Sequence, residues 1–156
     1  MGGDVLSTVL DPRLPAPFAR ELAADDNEGF TIALLTVADG GWPHQALISV
    51  GEIVALDDVR LRLATWPAST ATRNLLATGR ATLVAVVDAE VFAVRVEVAP
   101  RESGLELQVF DGRVVEARSD TAPYATVESG IRFRLHDPAA VSSRWRATRS
   151  ALRSLG

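Results

Sequence analysis

The chain of 156 residues contains no cysteine and no lysine, and all sixteen of its basic residues are arginine. The absence of cysteine excludes disulfides, thiolate nucleophiles and cysteine metal sites. The absence of lysine excludes a Schiff-base lysine and the lysine of a phosphate-binding P-loop. An anionic ligand therefore has to be bound by arginine, hydroxyl groups or backbone N–H groups.

Further absences limit the partners and the location that we expect. No apolar run approaches the roughly 18 residues that span a bilayer, and the N-terminus has no basic region followed by an apolar core, so we expect no membrane partner and a cytoplasmic location. The net charge of −4 and the pI near 5.2 argue against nucleic-acid binding, which needs a concentrated basic surface. The two histidines, His44 and His136, lie far apart in the sequence, and we expect no metal site.

The hydrophobic pattern predicts a mainly β chain of six or seven strands in sequential hairpins, forming an antiparallel barrel. In the segment 59–65, Val59, Leu61 and Leu63 share one face, whereas Arg60 and Arg62 share the other and should face water. The segment 105–120 is compatible with two strands joined at Asp111-Gly112 or with one long strand bulged there. The predicted strands occupy 30–38, 44–56, 59–65, 80–88, 91–98, 105–120 and 127–135.

Three helices are predicted around these strands, all within a single domain over residues 1–156 with 1–14 as a candidate flexible tail. The first spans 15–29 and carries Phe18 and Leu22 on one face. A C-terminal helix begins at Asp137 as N-cap, with Pro138 in its first turn. The side chains predicted to form its buried face are Val141, Trp145, Leu152 and Leu155. The arginines predicted to face solvent are Arg144, Arg146, Arg149 and Arg153.

The remaining helix, a crossover at 70–78, carries several hydroxyl groups at its start. Ser69 or Thr70 suits the N-cap, and Gly79 suits the position after the last helical residue. A helix N-terminus exposes unpaired N–H groups and partial positive charge, so these hydroxyls either cap the helix only or also help to bind a phosphate. Both interpretations remain open at this point.

The order of these parts resembles the FMN-binding split β-barrel family, the pyridoxamine 5′-phosphate oxidase-like superfamily. The resemblance is carried by the turn Asp39-Gly40-Gly41-Trp42-Pro43, by Thr65 at the end of its strand, and by Arg73-Asn74-Leu75 in the crossover helix. It covers residues 30–87 best. It implies a six- or seven-stranded, Greek-key-like split β-barrel that forms a homodimer with its flavin sites between the subunits.

The resemblance also implies roles for particular residues. Thr65, Ser69 and Thr70 would lie beside the FMN phosphate, and Trp66 would shield the site or simply cover the helix start. The strand residues Ile48, Ser49, Val50 and Gly51 would pass along the isoalloxazine ring through their backbone.

Four cations of the pyridoxamine phosphate oxidases are missing from this chain. Ser69-Thr70-Ala71 stands where the crossover turn of those enzymes resembles Ser-Arg-Lys, and Ala46 and Gly51 stand where their returning strand carries arginine and lysine. Arg73 is the nearest candidate replacement, or else a solvated arginine. We therefore expect an FMN-dependent oxidoreductase that acts on an unidentified small molecule and not a typical pyridoxamine phosphate oxidase. The alternatives are binding of the deazaflavin F420, or a cofactor-free, non-catalytic barrel or ligand-binding module.

Overall fold

The computed structural model describes residues 5–11 and 29–156, and it contains one curled antiparallel sheet with two helices. Neighbouring strands follow the order β3-β2-β6-β7-β8-β5-β4, and β1 pairs with β8. This confirms the mainly β split barrel with its crossover and C-terminal helices. The elements are β1 Val5–Ser7, β2 Ile32–Val37, β3 Pro43–Ile48, β4 Ile53–Ala55, β5 Arg60–Thr65, α1 Thr70–Thr78, β6 Arg80–Val87, β7 Glu90–Arg101, β8 Gln108–Asp120 and α2 Pro138–Ser154.

The sheet curls because its two edge strands, β3 and β4, follow each other in the chain. Only Ser49 and the short 3-10 turn Val50–Glu52 separate them, so the first and last strands of the sheet order must lie close together. Side chains that alternate toward the inside form the core. Its largest fully buried members are Leu10, Ile32, Leu34, Ile53, Leu61, Leu63, Leu75, Phe92 and Phe110.

The longest strand resolves the choice left open for residues 105–120. β8 is a single strand, and its register with β7 shifts between Arg95, which pairs with Glu116, and Val96, which pairs with Val114. The extra residue of this bulge is Val115 and not the Asp111-Gly112 pair. A bulge adds twist to a long strand, which helps one sheet to curl.

Two further expectations fail at the ends of the described chain. Residues 5–7 pair with β8, although the sequence predicts no element before residue 14. Residues 127–135 alternate in the sequence but form no strand; Phe133 and Leu135 instead pack near Val50 and Trp145, while Ile131 is exposed. The predicted helix at 15–29, with Phe18 and Leu22, lies outside the described residues apart from Gly29.

Helix α2 lies across β4 and the 3-10 turn, and its packing corrects the prediction that Arg62 faces water. Arg62 is 4% exposed, and its Nη1 donates to the carbonyl oxygens of Leu152 at 2.5 Å and Leu155 at 2.8 Å. Its Nε donates to Asp111 Oδ1 at 2.6 Å. The end of α2 covers this guanidinium, whose charge favours the carbonyl end of a helix.

Asp111 connects Arg62 to a second arginine on the neighbouring strand. Its Oδ2 accepts a hydrogen bond from Arg101 Nη1 at 2.8 Å, and Arg101 also donates to the carbonyl oxygen of Gly156. Burial alone would raise the pKa of Asp111, but the hydrogen bonds from Arg101 and Arg62 outweigh it and hold that pKa below its usual value. The last residues of the chain are thereby fastened to β5, β7 and β8.

The predicted faces of α2 are confirmed except at one arginine. Asp137 caps the helix by accepting from the Ala140 N–H at 3.2 Å, and Trp145 and Leu152 are buried. Arg149, predicted to face solvent, is only 3% exposed. It lies four residues after Trp145 and three before Leu152, which places it on the same buried face.

Candidate functional site

Helix α1 begins at a serine cap, as the sequence predicts. Ser69 has extended backbone, and its Oγ accepts from the Thr72 N–H at 3.1 Å. Gly79 ends the helix in the left-handed conformation, with φ of 65°, and its N–H donates to the Leu75 carbonyl at 2.9 Å. Asn74 ties the helix to the barrel because its Nδ2 donates to the buried Thr36 Oγ1 at 3.0 Å.

The hydroxyl groups beneath the start of α1 mostly bind one another. Thr72 Oγ1 donates to the Trp66 carbonyl at 2.6 Å, so its single proton is used there. Thr65 Oγ1, at 2.5 Å, and Ser69 Oγ, at 3.0 Å, must therefore each donate to Thr72 Oγ1. Neither Thr65 nor Ser69 retains a hydroxyl proton for a phosphate.

Thr72, which the sequence analysis did not select as a site residue, is thus the centre of this network. Thr72 lies three residues after Ser69, and the side chain of a serine N-cap commonly accepts a hydrogen bond from the third helical residue. This spacing is the sequence signal that could have identified Thr72. Its side chain is 1% exposed and that of Thr65 is 7% exposed. Thr65 is therefore an internal support of the helix start and not an open ligand group.

Thr70 and Arg73, in contrast, lie on the outer surface of the helix start. Arg73 is exposed; its Nη2 donates to Thr70 Oγ1 at 2.9 Å and its Nη1 to the Ala68 carbonyl at 3.1 Å. Because Thr70 accepts from Arg73, its own proton remains available as a donor. The backbone N–H groups of Thr70 and Ala71 have no intrahelical acceptor. Together these groups form a cationic donor cluster at the positive end of α1.

Trp66 lies beside this cluster with 58% of its surface exposed. It follows the last residue of β5, and its carbonyl accepts the hydrogen bond from Thr72, which fixes the backbone from which the indole projects. An indole that presents this much surface is available for stacking on a flat ring.

The other predicted half of the site, residues 48–51, forms the turn between β3 and β4. Ser49 and Glu52 form a capping box: Glu52 Oε2 accepts from the Ser49 N–H at 2.7 Å and from the Ser49 Oγ at 3.0 Å. Burial raises the pKa of Glu52, although the hydrogen bonds from Ser49 and the charge of Arg144 act in the opposite direction. Ile48, Val50 and Gly51 are all buried.

Gly51 is covered by Trp145 of α2. A Cβ atom at Gly51 would lie 2.0 Å from Trp145 Cδ1 and 2.1 Å from its Cγ, so the indole rests directly on the glycine backbone. Phe133 meets the same indole edge-on, with ring centroids 6.3 Å apart. The position to which the family resemblance assigns a lysine of the oxidases is thus filled by packing within this chain.

The structure therefore divides the predicted site residues into two groups. Thr65, Trp66, Ser69, Thr70 and Arg73 meet at the start of α1, whereas Ile48, Ser49, Val50 and Gly51 belong to a turn beneath α2. Within residues 5–11 and 29–156, no cluster of three or more histidine, aspartate or glutamate side chains is arranged to hold a metal ion. No helix in that part of the chain has the length and apolar character required to cross a membrane.

Comparison with known proteins identifies one curated relative. The chain is 40% identical over 119 residues to the uncharacterized protein YclD of Bacillus subtilis, and the match covers 74% of this chain and 77% of YclD. No protein-family model matches the sequence.

Solved structures share the fold at low sequence identity. An FMN-binding protein of Syntrophomonas wolfei is 16% identical with a TM-score of 0.55, covering 70% of this chain and 85% of its own. A candidate pyridoxamine 5′-phosphate oxidase of Lactobacillus delbrueckii is 17% identical, also with a TM-score of 0.55, covering 71% of this chain and 94% of its own. At these identities the likeness concerns the fold, and it agrees with the split barrel that the sequence predicts.

Proposed function

The chain belongs to the family of the Bacillus subtilis protein YclD and has a split β-barrel fold, and from this premise we propose that it binds FMN and acts as an oxidoreductase on a small molecule. The observation that carries the proposal is the donor cluster at the start of α1. Arg73, Thr70 and two free backbone N–H groups converge there, and these are the donors that a phosphate monoester requires.

The chemistry of this donor set fits the anionic end of FMN without any lysine. A guanidinium can bind two phosphate oxygens at once, and Arg73 uses two of its five N–H donors in hydrogen bonds to the described residues. The exposed indole of Trp66 would cover one face of a bound ring. When bound, FMN supplies the redox chemistry, and the protein binds and orients it and excludes water from it.

The turn at 48–51 is not part of the proposed phosphate site. Trp145 occupies the space beside Gly51, and the Ser49 hydroxyl is engaged with Glu52. The contact between this strand and the isoalloxazine ring, which the family resemblance implies, remains a prediction. We base the proposed site on the α1 residues alone.

A titration of the purified protein with FMN and with riboflavin tests the proposal. We expect Arg73→Ala to weaken FMN binding by about one to two decades and riboflavin binding much less, because only FMN carries the phosphate. Arg60→Ala is the matched control, since Arg60 is also exposed but lies in an ion pair with Asp57. Equal weakening of both flavins by Arg73→Ala would contradict a phosphate role.

Two variants at the helix start separate capping from phosphate binding. Ser69→Asp retains a good N-cap and adds negative charge beside the donor cluster, so it should leave the helix stable and weaken FMN. Thr70→Glu should weaken FMN for the same electrostatic reason. Unchanged FMN affinity in both variants would remove the start of α1 as the phosphate site.

The second candidate function is a cofactor-free, non-catalytic barrel that binds another ligand. It is favoured by the hydroxyl protons of Thr65 and Ser69, which are both used within the chain, and by the covered Gly51. A colourless protein that binds neither FMN nor the deazaflavin F420 would support this candidate. A yellow protein that releases one FMN per chain would support the first.

We also propose that a second copy of the chain covers the outer face of α1. Trp66 and Leu76 are 58% and 52% exposed, and Leu76 lies three residues after Arg73, so large apolar side chains flank the donor cluster. Leu76→Glu should convert a homodimer to monomers in sedimentation equilibrium. Leu47→Glu, at a β3 leucine that is equally exposed, should not; the reverse result would move the interface to the sheet.

A further inference from the structure

A groove of about 430 Å³ lies on the outside of the barrel, and none of its lining residues belongs to the proposed flavin site. β2, β6 and β7 form its floor, and Val115, the extra residue of the β8 bulge, lines one side. The groove falls within the range of about 300–1,000 Å³ that small-molecule sites occupy.

The floor of the groove is apolar. Leu35, Val37, Pro43 and Val115 line it with exposed or partly exposed side chains, and Thr82 adds a hydroxyl, whereas the lining residues Ala81 and Val96 belong to the core and are only 7% and 1% exposed. Val37 is 48% exposed; it pairs with Pro43 of β3, and the pairing of β2 with β6 ends at Leu35. This surface therefore offers an apolar body an area that the fold itself leaves open to water.

Positively charged side chains outnumber negatively charged ones around the groove. In one row across the sheet, Arg80 stands opposite Glu97, which stands opposite Arg113. Arg113 binds Glu97 at 3.0 Å, and Arg80 forms no ion pair with any residue in the described part of the chain. One carboxylate thus faces two guanidinium groups. Glu97 and Arg80 both line the groove, but Glu97 is bound to Arg113, so the charge of Arg80 is left without an ion-pair partner among the described residues.

A second arginine, Arg95, lies in a neighbouring row of cross-strand residues and forms only a long ion pair. Arg95 stands opposite Thr82 on one side and opposite Glu116 on the other, and its Nη1 lies 3.5 Å from Glu116 Oε2. The same glutamate also lies 3.5 Å from Arg118. Arg95 is therefore held loosely, and it lines the groove on the same side as Arg80.

We propose that this groove is a binding site for a small organic anion with a flat apolar body, such as an aromatic carboxylate, sulfonate or phosphate. The body lies on the Leu35, Val37 and Val115 surface, and the anionic group pairs with Arg80, with Arg95 as a second donor. A free guanidinium at the rim of an apolar surface selects this class, because a neutral ligand would leave the charge unpaired and a purely polar anion would leave the floor wet.

The test uses two fluorescent probes of the same shape class, the anion 1-anilinonaphthalene-8-sulfonate and the neutral N-phenyl-1-naphthylamine, with the full-length folded protein. We expect saturable binding of one sulfonate probe per chain, weakened about tenfold or more by Arg80→Ala. The neutral probe should bind equally to both proteins. Thr82→Phe, which fills the groove from its floor, should weaken both probes.

Two arginine variants separate this groove from other sites. Arg60→Ala removes an equal charge from the first residue of another strand and should leave probe binding unchanged. Because a sulfonate can also pair with Arg73 at α1, the titrations are repeated in an Arg73→Ala background, where Arg80→Ala should weaken the sulfonate probe to the same extent. Loss of sulfonate binding in Arg60→Ala, or no weakening by Arg80→Ala in the Arg73→Ala background, would overturn the proposal, as would probe binding that is insensitive to Thr82→Phe. Binding that declines as the protein concentration rises would assign the groove to a second copy and overturn it equally.

Discussion

The start of α1 and the turn between β3 and β4 are built on the same local motif but differ in accessibility. Each begins with a serine whose hydroxyl accepts a backbone N–H, Ser69 from Thr72 at 3.1 Å and Ser49 from Gly51 at 3.3 Å. At α1 the outer surface remains open, whereas at the turn Trp145 covers the backbone. A serine cap therefore marks where a helical turn begins and where its backbone N–H donors lie. The element packed over the cap decides whether a ligand can reach those donors.

The two regions also differ in charge. Arg73 presents a guanidinium at the start of α1, where the helix already favours an anion. The turn contains Glu52, a carboxylate whose pKa is raised by burial. A phosphate is attracted to the first region and repelled by the second whenever Glu52 is ionised. Three predictions sharpen this comparison.

The largest effect should come from removing the indole that closes the turn. Trp145→Ala should lower the free energy of unfolding by about 3–5 kcal/mol, because it leaves a cavity against Val50 and Gly51. Trp66→Ala, at the open region, should change it by about 0.5 kcal/mol or less, because that indole is 58% exposed. Urea unfolding at one fixed protein concentration measures both, and similar losses in the two variants would contradict the difference in packing.

Filling the space beside Gly51 should have the next largest effect. Gly51→Ala places a methyl group against Trp145 and should cost about 1–3 kcal/mol in the free energy of unfolding. In the Trp145→Ala background the same substitution should cost less than about 0.5 kcal/mol, because its neighbour is gone. Equal costs in the two backgrounds would show that Gly51 is required for a reason other than the indole.

The smallest effect concerns the pH dependence contributed by Glu52. Because its pKa is higher in the folded chain than the value of 4.5 for a free side chain, protonation favours folding. Its contribution is therefore complete below the unfolded-state pKa and is lost as the pH rises through the folded-state pKa. Glu52→Gln, which retains an acceptor for Ser49, should flatten this part of the pH profile of unfolding. A wild-type contribution that grows as the pH rises would contradict the assignment.

Short-range signals account for most of the successful predictions. The Ser69 and Asp137 caps, the Gly79 helix end and the turns Asp39–Gly41 and Asp88–Ala89 each involve groups within a few residues of one another. These two turns account for the β2–β3 and β6–β7 hairpins, whereas the pairings of β2 with β6 and of β5 with β8, which assemble the curled sheet, join strands that are distant in the chain. Because the Ser69 cap is a short-range signal, the residues at the start of α1 could be selected as candidate ligands before their contacts were known.

The wrong predictions concern side chains whose surroundings come from distant parts of the chain. Alternation on β5 places Arg62 opposite the core, but a helix ninety residues later covers that face and accepts its hydrogen bonds. Arg149 is buried on the same helix. The alternation of residues 127–135 predicts a strand, yet Phe133 and Leu135 are only partly buried, in a cluster with Val50 and Trp145, and this segment pairs with no strand.

The amino-acid sequence by itself determined the kinds of chemistry that this protein can use, since it offers arginine, hydroxyls and backbone N–H groups and neither thiol nor amine side chains. It also determined the hairpins and caps, because these depend on hydrogen bonds between near neighbours. Only the tertiary structure decided that Trp145 covers Gly51, that Arg62 lies under α2, and that Arg80 borders an open apolar groove. Those outcomes depend on which surfaces come into contact after the sheet curls. Burial of apolar surface drives these contacts, and because it is not directional, no short stretch of the sequence reveals which surfaces will meet.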